Sequence, residues 1–306
     1  MTYIKTNSNK SHVTGILPDV TLLMVAAIWG GSYLAAKDLS AASSPAAVMC
    51  ARFVPAAVLL LIVQAYRRPP GLSKALRPGL MLGVLRSCTI ALETVGVTMT
   101  SATNAGLIIG LSVLITPIME SLVAKRRLSA QLMGAVALAV LGISGLIGNT
   151  GLNAPNLGDL LMIGAAIIRA ALGVAEARFT ASGSTDVMML TTIEITFGAV
   201  MFSVWGGIPL IEHMHAFSPT QWGEVLFLSM GCTVAAFLGQ LWATKLTSAS
   251  RAGMLLGSEP GWALLIGMAL GGERIGTVGI IGAAILLGAL IWGRCAERQW
   301  RTGTRV

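Results

Sequence analysis

The chain reads as an all-α membrane protein: ten transmembrane helices forming two five-helix repeats of opposite orientation. Composition comes first, because 306 residues that are 55% hydrophobic and 11% charged hold more apolar side chain than one soluble core of this size could bury. Apolar runs then recur along the whole length, each about the twenty residues needed to cross roughly 30 Å of hydrocarbon. Finally, a segment of the first half returns in the second.

Taken in order, residues 1–19 form a polar tail with Lys5 and Lys10, and the first span covers 20–36. It resembles a secretory signal only superficially, because further spans follow it, so it is retained. The second span, 46–66, carries Arg52; the third, 79–98, carries Arg86 and Glu93. The fourth, 104–123, follows Thr100-Ser101-Ala102, and the fifth, 129–148, follows the basic run Lys125-Arg126-Arg127 and closes the first repeat at 1–150. The second repeat, 151–294, has spans at 157–176 with Arg169, 187–207 with Glu194, 223–243, 252–270 with Glu259-Pro260, and 276–293. A basic tail, 295–306, ends the chain.

A net charge of +8 raises nucleic acid as a partner for a soluble protein, but here the basic residues mark topology. With a cytoplasmic N-terminus, sixteen of the twenty-one Lys and Arg fall in cytoplasmic segments and two, Lys37 and Arg274, on the far side. The expectation is therefore a multi-pass protein of the inner (plasma) membrane with both termini cytoplasmic. Its partners are lipid and a small-molecule substrate, and no nucleic acid. Cys50, Cys88 and Cys232 lie within spans and Cys295 in the tail, which gives no disulfide framework. His213 and His215 share a loop with no third ligand nearby, so neither metal nor cofactor is expected.

The repeat is clearest where Thr100-Ser101-Ala102-Thr103-Asn104-Ala105-Gly106 and the residues to Gly110 match Thr247 to Gly257 at an offset of 147, with six identities in eleven. The register then runs ungapped to place Arg127-Leu128 opposite Arg274-Ile275. Earlier spans pair at offsets of 140 to 142, as between Asp19 to Ala27 and Asp159 to Ile167. Five spans per unit is an odd number, so the second unit enters the membrane from the opposite side. Many secondary transporters alternate access about a midplane site with this arrangement.

Trp29-Gly30, Arg52-Phe53, the Thr-Ser-Ala triplets at 100 and 247, and Glu259-Pro260 followed by Gly272-Glu273-Arg274-Ile275 resemble the EamA-type branch of the drug/metabolite transporter superfamily. The resemblance covers nearly the whole chain. It implies a secondary transporter, an exporter of a small amphiphilic metabolite such as an amino acid. The halves depart from one another where Ser112-Val113 stands opposite Glu259-Pro260 and Lys125-Arg126 opposite Gly272-Glu273, so the first gate is expected to bend differently.

Ionisable groups within spans are costly, by roughly 2.5–3.5 kcal/mol at a helix centre on insertion scales, so each needs a partner or a purpose. Counting from the span ends puts Arg86, Arg169, Glu194 and Glu259 in an inner layer and Arg52 with Glu93 in an outer one. The expected pairs are Arg52 with Glu93, and Arg86 with Glu194 or Glu259, while Glu120 and Glu176 sit in the hydrated interface. Arginine would take a substrate carboxylate or phosphate and glutamate would exchange protons or partners; permanent ion pairs locking the helices are the alternative. Arg86→Ala should abolish transport, whereas Arg52→Ala should act through folding and be partly restored by removing Glu93. Trp29 and Tyr33, four apart, could wall a cation or a ring, or simply pack. Pro260 breaks a backbone hydrogen bond between Gly257 and Gly261, Trp262 would move with the kink, and Gly106-x-x-x-Gly110 permits close helix approach.

Competing functions are an uncoupled channel or facilitator and, less favoured, a membrane-embedded enzyme. No His-Glu-x-x-His, no nucleophile–base set and no P-loop is present, so neither catalysis nor ATP-driven transport is expected of this chain.

Overall fold

Apolar runs of this length close their backbone hydrogen bonds internally, and the described residues of every expected span are mainly helical. The structure, a computed structural model, describes residues 16–67, 71–123, 130–148, 156–181, 186–246 and 255–302. The N-terminal tail, the Lys125-Arg126-Arg127 run, Thr247–Gly253 and the last four residues lie outside the described residues.

The helices are α1 (Ile16–Ala42), α2 (Pro45–Arg67), α3 (Leu72–Met99), α4 (Ala102–Ile109), α5 (Ser112–Val123), α6 (Ala130–Gly148), α7 (Leu157–Ala181), α8 (Val187–Met214), α9 (Pro219–Leu226), α10 (Ala236–Leu246), α11 (Glu259–Ala269) and α12 (Thr277–Thr302). A π-helical stretch, Phe227–Ala235, joins α9 to α10. Among the described residues eight segments are long and apolar enough to cross a membrane; Ala130–Gly145 is a shorter apolar helix. Several helices overrun the expected spans. α1 continues to Ala42, α3 begins at Leu72, and α12 runs through Thr302 where a tail was expected.

Side chains sort as they do in a lipid solvent. Val204, Leu270 and Ile208 are 86%, 77% and 72% exposed, while Arg52, Glu194 and Glu259 are buried. Apolar groups face outward and charges inward, as a bilayer requires.

α2 packs on α8, α6 on α12, α4 on α11, and α3 on both α7 and α8. Glycine permits close crossings: a Cβ on Gly30 of α1 would stand 2.7 Å from the Trp262 Cβ and 2.8 Å from the Ala263 amide nitrogen of α11.

Two spans are broken, and in matching places. α4 stops at Ile109 and α5 starts at Ser112; 147 residues on, a turn at Gly257-Ser258 precedes α11 at Glu259. The turns share their hydrogen bonds, because Leu111 N–H donates to the Ile108 carbonyl (3.0 Å) as Ser258 N–H donates to that of Leu255 (3.1 Å). The expectation that the halves bend differently is thus corrected. Pro260 sits in the first turn of α11, where its missing N–H costs nothing, so it starts a helix and does not kink one. The first half makes the same break without proline.

Candidate functional site

The broken helices bring their charged and small residues to the protein centre, where α1, α2, α3, α7 and α10 meet them. There Arg169 of α7 grips Glu259, Nη1 to Oε1 at 3.0 Å and Nη2 to Oε2 at 2.7 Å. Glu259 Oε1 also accepts the Tyr33 hydroxyl at 2.7 Å, and Glu93 of α3 lies 3.7 Å from Arg169. Tyr33 is 4% exposed and midway along α1, so it is a member of the cluster.

A second knot forms beside it. Arg86 donates through Nε to Glu194 and through Nη2 to Glu176 at 2.6 Å, and its guanidinium stacks 4.3 Å above the Phe237 ring centroid. Of the two partners expected for Arg86, the structure selects Glu194. Glu176, expected in the hydrated interface, turns in to Arg86 because α3 and α7 lie side by side.

Arg52 departs from expectation most. It makes no ion pair with Glu93; its Nε donates to the Thr233 hydroxyl at 3.1 Å, and that hydroxyl donates to the Leu228 carbonyl at 2.9 Å. The cause is the π-helical stretch against α2: five-residue backbone spacing turns Thr233 towards Arg52. Trp29 Nε1 donates to the Cys232 carbonyl of the same stretch at 3.0 Å, and its ring lies 5.7 Å from Phe237. The two expected charge layers therefore merge into one chamber lined by Trp29, Tyr33, Arg52, Arg86, Glu93, Arg169 and Glu259. Trp262 lies outside it, against Gly30.

The chamber opens into a vestibule of about 330 Å³ lined by Gly110, Ser112, Thr116, Gln240, Gly257, Pro260 and Arg294 among others. Both helix breaks thus border the vestibule. At the other end of the molecule the connection to α12 holds the start of α4. Glu273, in the connection to α12, accepts the Ala102 and Thr103 amides that open α4, at 2.7 and 2.9 Å, and pairs with Lys37 at 3.3 Å. Burial alone would push the Glu273 carboxyl up, but hydrogen bonds from Thr103 and the Ala102 amide, with the Lys37 ammonium, hold it below the usual carboxylate range. Next to it the Thr100 hydroxyl donates to Asp159 at 2.7 Å.

Sequence reasoning missed Thr233 and Phe237, and it named Glu176 without its partner Arg86. A π-helical stretch leaves no periodic signature, so Thr233 and Phe237 could not have been placed. Glu273 had been seen, as part of the motif after α11, but not its target.

The chain matches the EamA-like transporter family over residues 16–148 and again over 156–292. It is 25% identical over 301 residues to a protein of Archaeoglobus fulgidus named an uncharacterized transporter, covering 95% of this chain and 90% of that one. It is 26% identical over 286 residues to the uncharacterized transporter YyaM of Bacillus subtilis, covering 89% and 92%. A crystal structure of a protein 21% identical to it shares the fold, with a TM-score of 0.59 over 91% of this chain and 97% of that one. With charges gathered at its centre, apolar flanks turned outward and the family's sequence pattern present twice, the chain is a multi-pass membrane protein that belongs to the EamA-like transporter family.

Proposed function

We propose that the chain is a secondary transporter, an exporter of a small amphiphilic metabolite such as an amino acid, working by alternating access between inverted five-helix repeats. Ten spans and two cytoplasmic termini complete this reading. Residues 1–150 form one repeat and 151–294 the other, and the charged residues from Arg52 to Glu259 bind cargo or gate it.

The observation that carries it is the pair of breaks at 110–111 and 257–258, on helices that cross each other beside a charged chamber. Gly106 and Gly110 of α4 face Ala263 and Pro260 of α11 there. Discontinuous helices at a repeat interface are the usual gates and binding elements of such carriers.

Helix packing supports the repeat. Exchange of the halves turns α1 on α11 into α7 on α5, and α3 on α7 into the π-helical stretch and α10 on α1; each of these contacts is made. The pairs α2–α8 and α6–α12 map onto themselves, as elements beside a twofold axis do.

Purified protein in liposomes loaded with a pool of amino acids should take up labelled amino acid faster than empty liposomes do, at a saturating rate. Flux that rises linearly with gradient and ignores the contents of the far side would make the protein a channel and end this reading.

A further inference from the structure

Three guanidiniums face the chamber, and two are occupied. Arg169 holds Glu259 through both terminal nitrogens with Glu93 nearby, and Arg86 holds Glu194 and Glu176. Arg52 is different: 8% exposed and lining the chamber, it has no ion pair among the described residues, only the single hydrogen bond from Nε to Thr233. A guanidinium out of water without an oxyanion carries a large desolvation cost, and its planar edge of paired N–H groups fits a carboxylate. Glu93 lines the same chamber, 12% exposed on its side chain, and its sole ion pair among the described residues is the long one to Arg169.

Charge limits what can fill the gap. The cluster holds four carboxylates, Glu93, Glu176, Glu194 and Glu259, against three guanidiniums. A bare anion beside Arg52 would deepen that imbalance, whereas a molecule bearing one oxyanion and one ammonium leaves it unchanged. Trp29, Tyr33 and Phe237 supply aromatic faces around the same space, suited to an ammonium or to an apolar body.

We infer that Arg52 anchors the anionic end of a small zwitterionic cargo and that Glu93 receives its cationic end. This rests on the transport reading and adds the attachment points. Arg86 and Arg169, already saturated by the protein's own carboxylates, then hold the walls of the chamber while Arg52 waits for the cargo.

The test needs no turnover. Full-length protein in lipid nanodiscs is melted alone and with four probes: a pool of α-amino acids, the same compounds as amides, their deaminated acids, and inorganic phosphate. The amino-acid pool should raise the wild-type Tm, and the amides, deaminated acids and phosphate should not. Without ligand, Arg52→Gln should melt at or above wild type, because a lone buried charge is removed, whereas Arg86→Gln should melt well below it. With ligand, Arg52→Gln should bind at least about tenfold more weakly, having lost a charged hydrogen-bond partner. Arg52→Lys should recover part of that affinity, and Glu93→Gln should weaken amino acids without admitting the amides. The assignment falls if Arg52→Gln destabilises the empty protein as much as Arg86→Gln does, if it binds amino acids like wild type, if phosphate alone shifts the wild type, or if no probe does. Normal binding without counterflow in liposomes would overturn the transport reading and leave the anchor standing.

Discussion

Glu194 is 3% exposed and depends on Arg86, so removing the arginine strands a buried carboxylate. Arg86→Ala should abolish transport and cost about 3–5 kcal/mol of stability, the usual penalty for breaking a buried pair. Arg86→Gln with Glu194→Gln should recover most of that stability, as read by thermal melting in detergent, yet restore no transport. At Arg169 two parallel bonds to Glu259 are at stake, and a lysine cannot reproduce them. Arg169→Lys should therefore slow counterflow more than it lowers Tm. The Trp29–Tyr33 face was legible in the sequence from helical spacing, and the choice of Glu194 or Glu259 for Arg86 from depth. Arg52 was not. Counting depth from span ends assumed helices of equal length, whereas α1 and α3 overrun their spans and a π-helical stretch supplies Thr233 from a span that carries no charge of its own in the chamber.

Helices meet through glycine where the sequence repeats itself. Gly30→Val should push α1 off α11, since the new Cβ would clash with Trp262 and Ala263 at 2.7 and 2.8 Å, and lower Tm by several degrees. The Glu273 contact behaves as a clasp on the amides of α4. Its carboxyl is held below the ordinary range, so its contribution exists above the unfolded-state pKa and is lost only as pH falls through the lowered folded-state value. Accessibility from the Glu273 end, read as cysteine labelling relative to the same cysteine in unfolded protein at each pH, should consequently change little between about pH 8 and about pH 5.5, while Glu273→Gln should raise it at either pH. The breaks at 110–111 and 257–258 were half legible: the repeat aligned them, but a proline in one half suggested a difference that backbone geometry removes. Pro260 occupies a position that any residue could take, the first turn of a new helix.

Over the whole molecule, the basic residues predict an orientation that single cysteines can check. Cysteines introduced at Gln299 and at Gly303 on a Cys-free background should react with impermeant maleimide only after the membrane is opened, and one at Thr277 should react in intact cells. The all-helical class, the division into two EamA-like units and the inward-facing charges were all readable from composition and repeat, because lipid leaves few alternatives to a long apolar run. Partner choice among the charges was not, since it depends on crossing geometry that no one-dimensional count contains.

In the register of the repeat Arg126 is the counterpart of Glu273, and an arginine side chain cannot accept a hydrogen bond from a backbone amide. An unloaded carrier should therefore rest with its mouth towards Arg294. A blocker restricted to the opposite face would then find few open doors, and its potency should climb with the rate at which cargo drives the cycle.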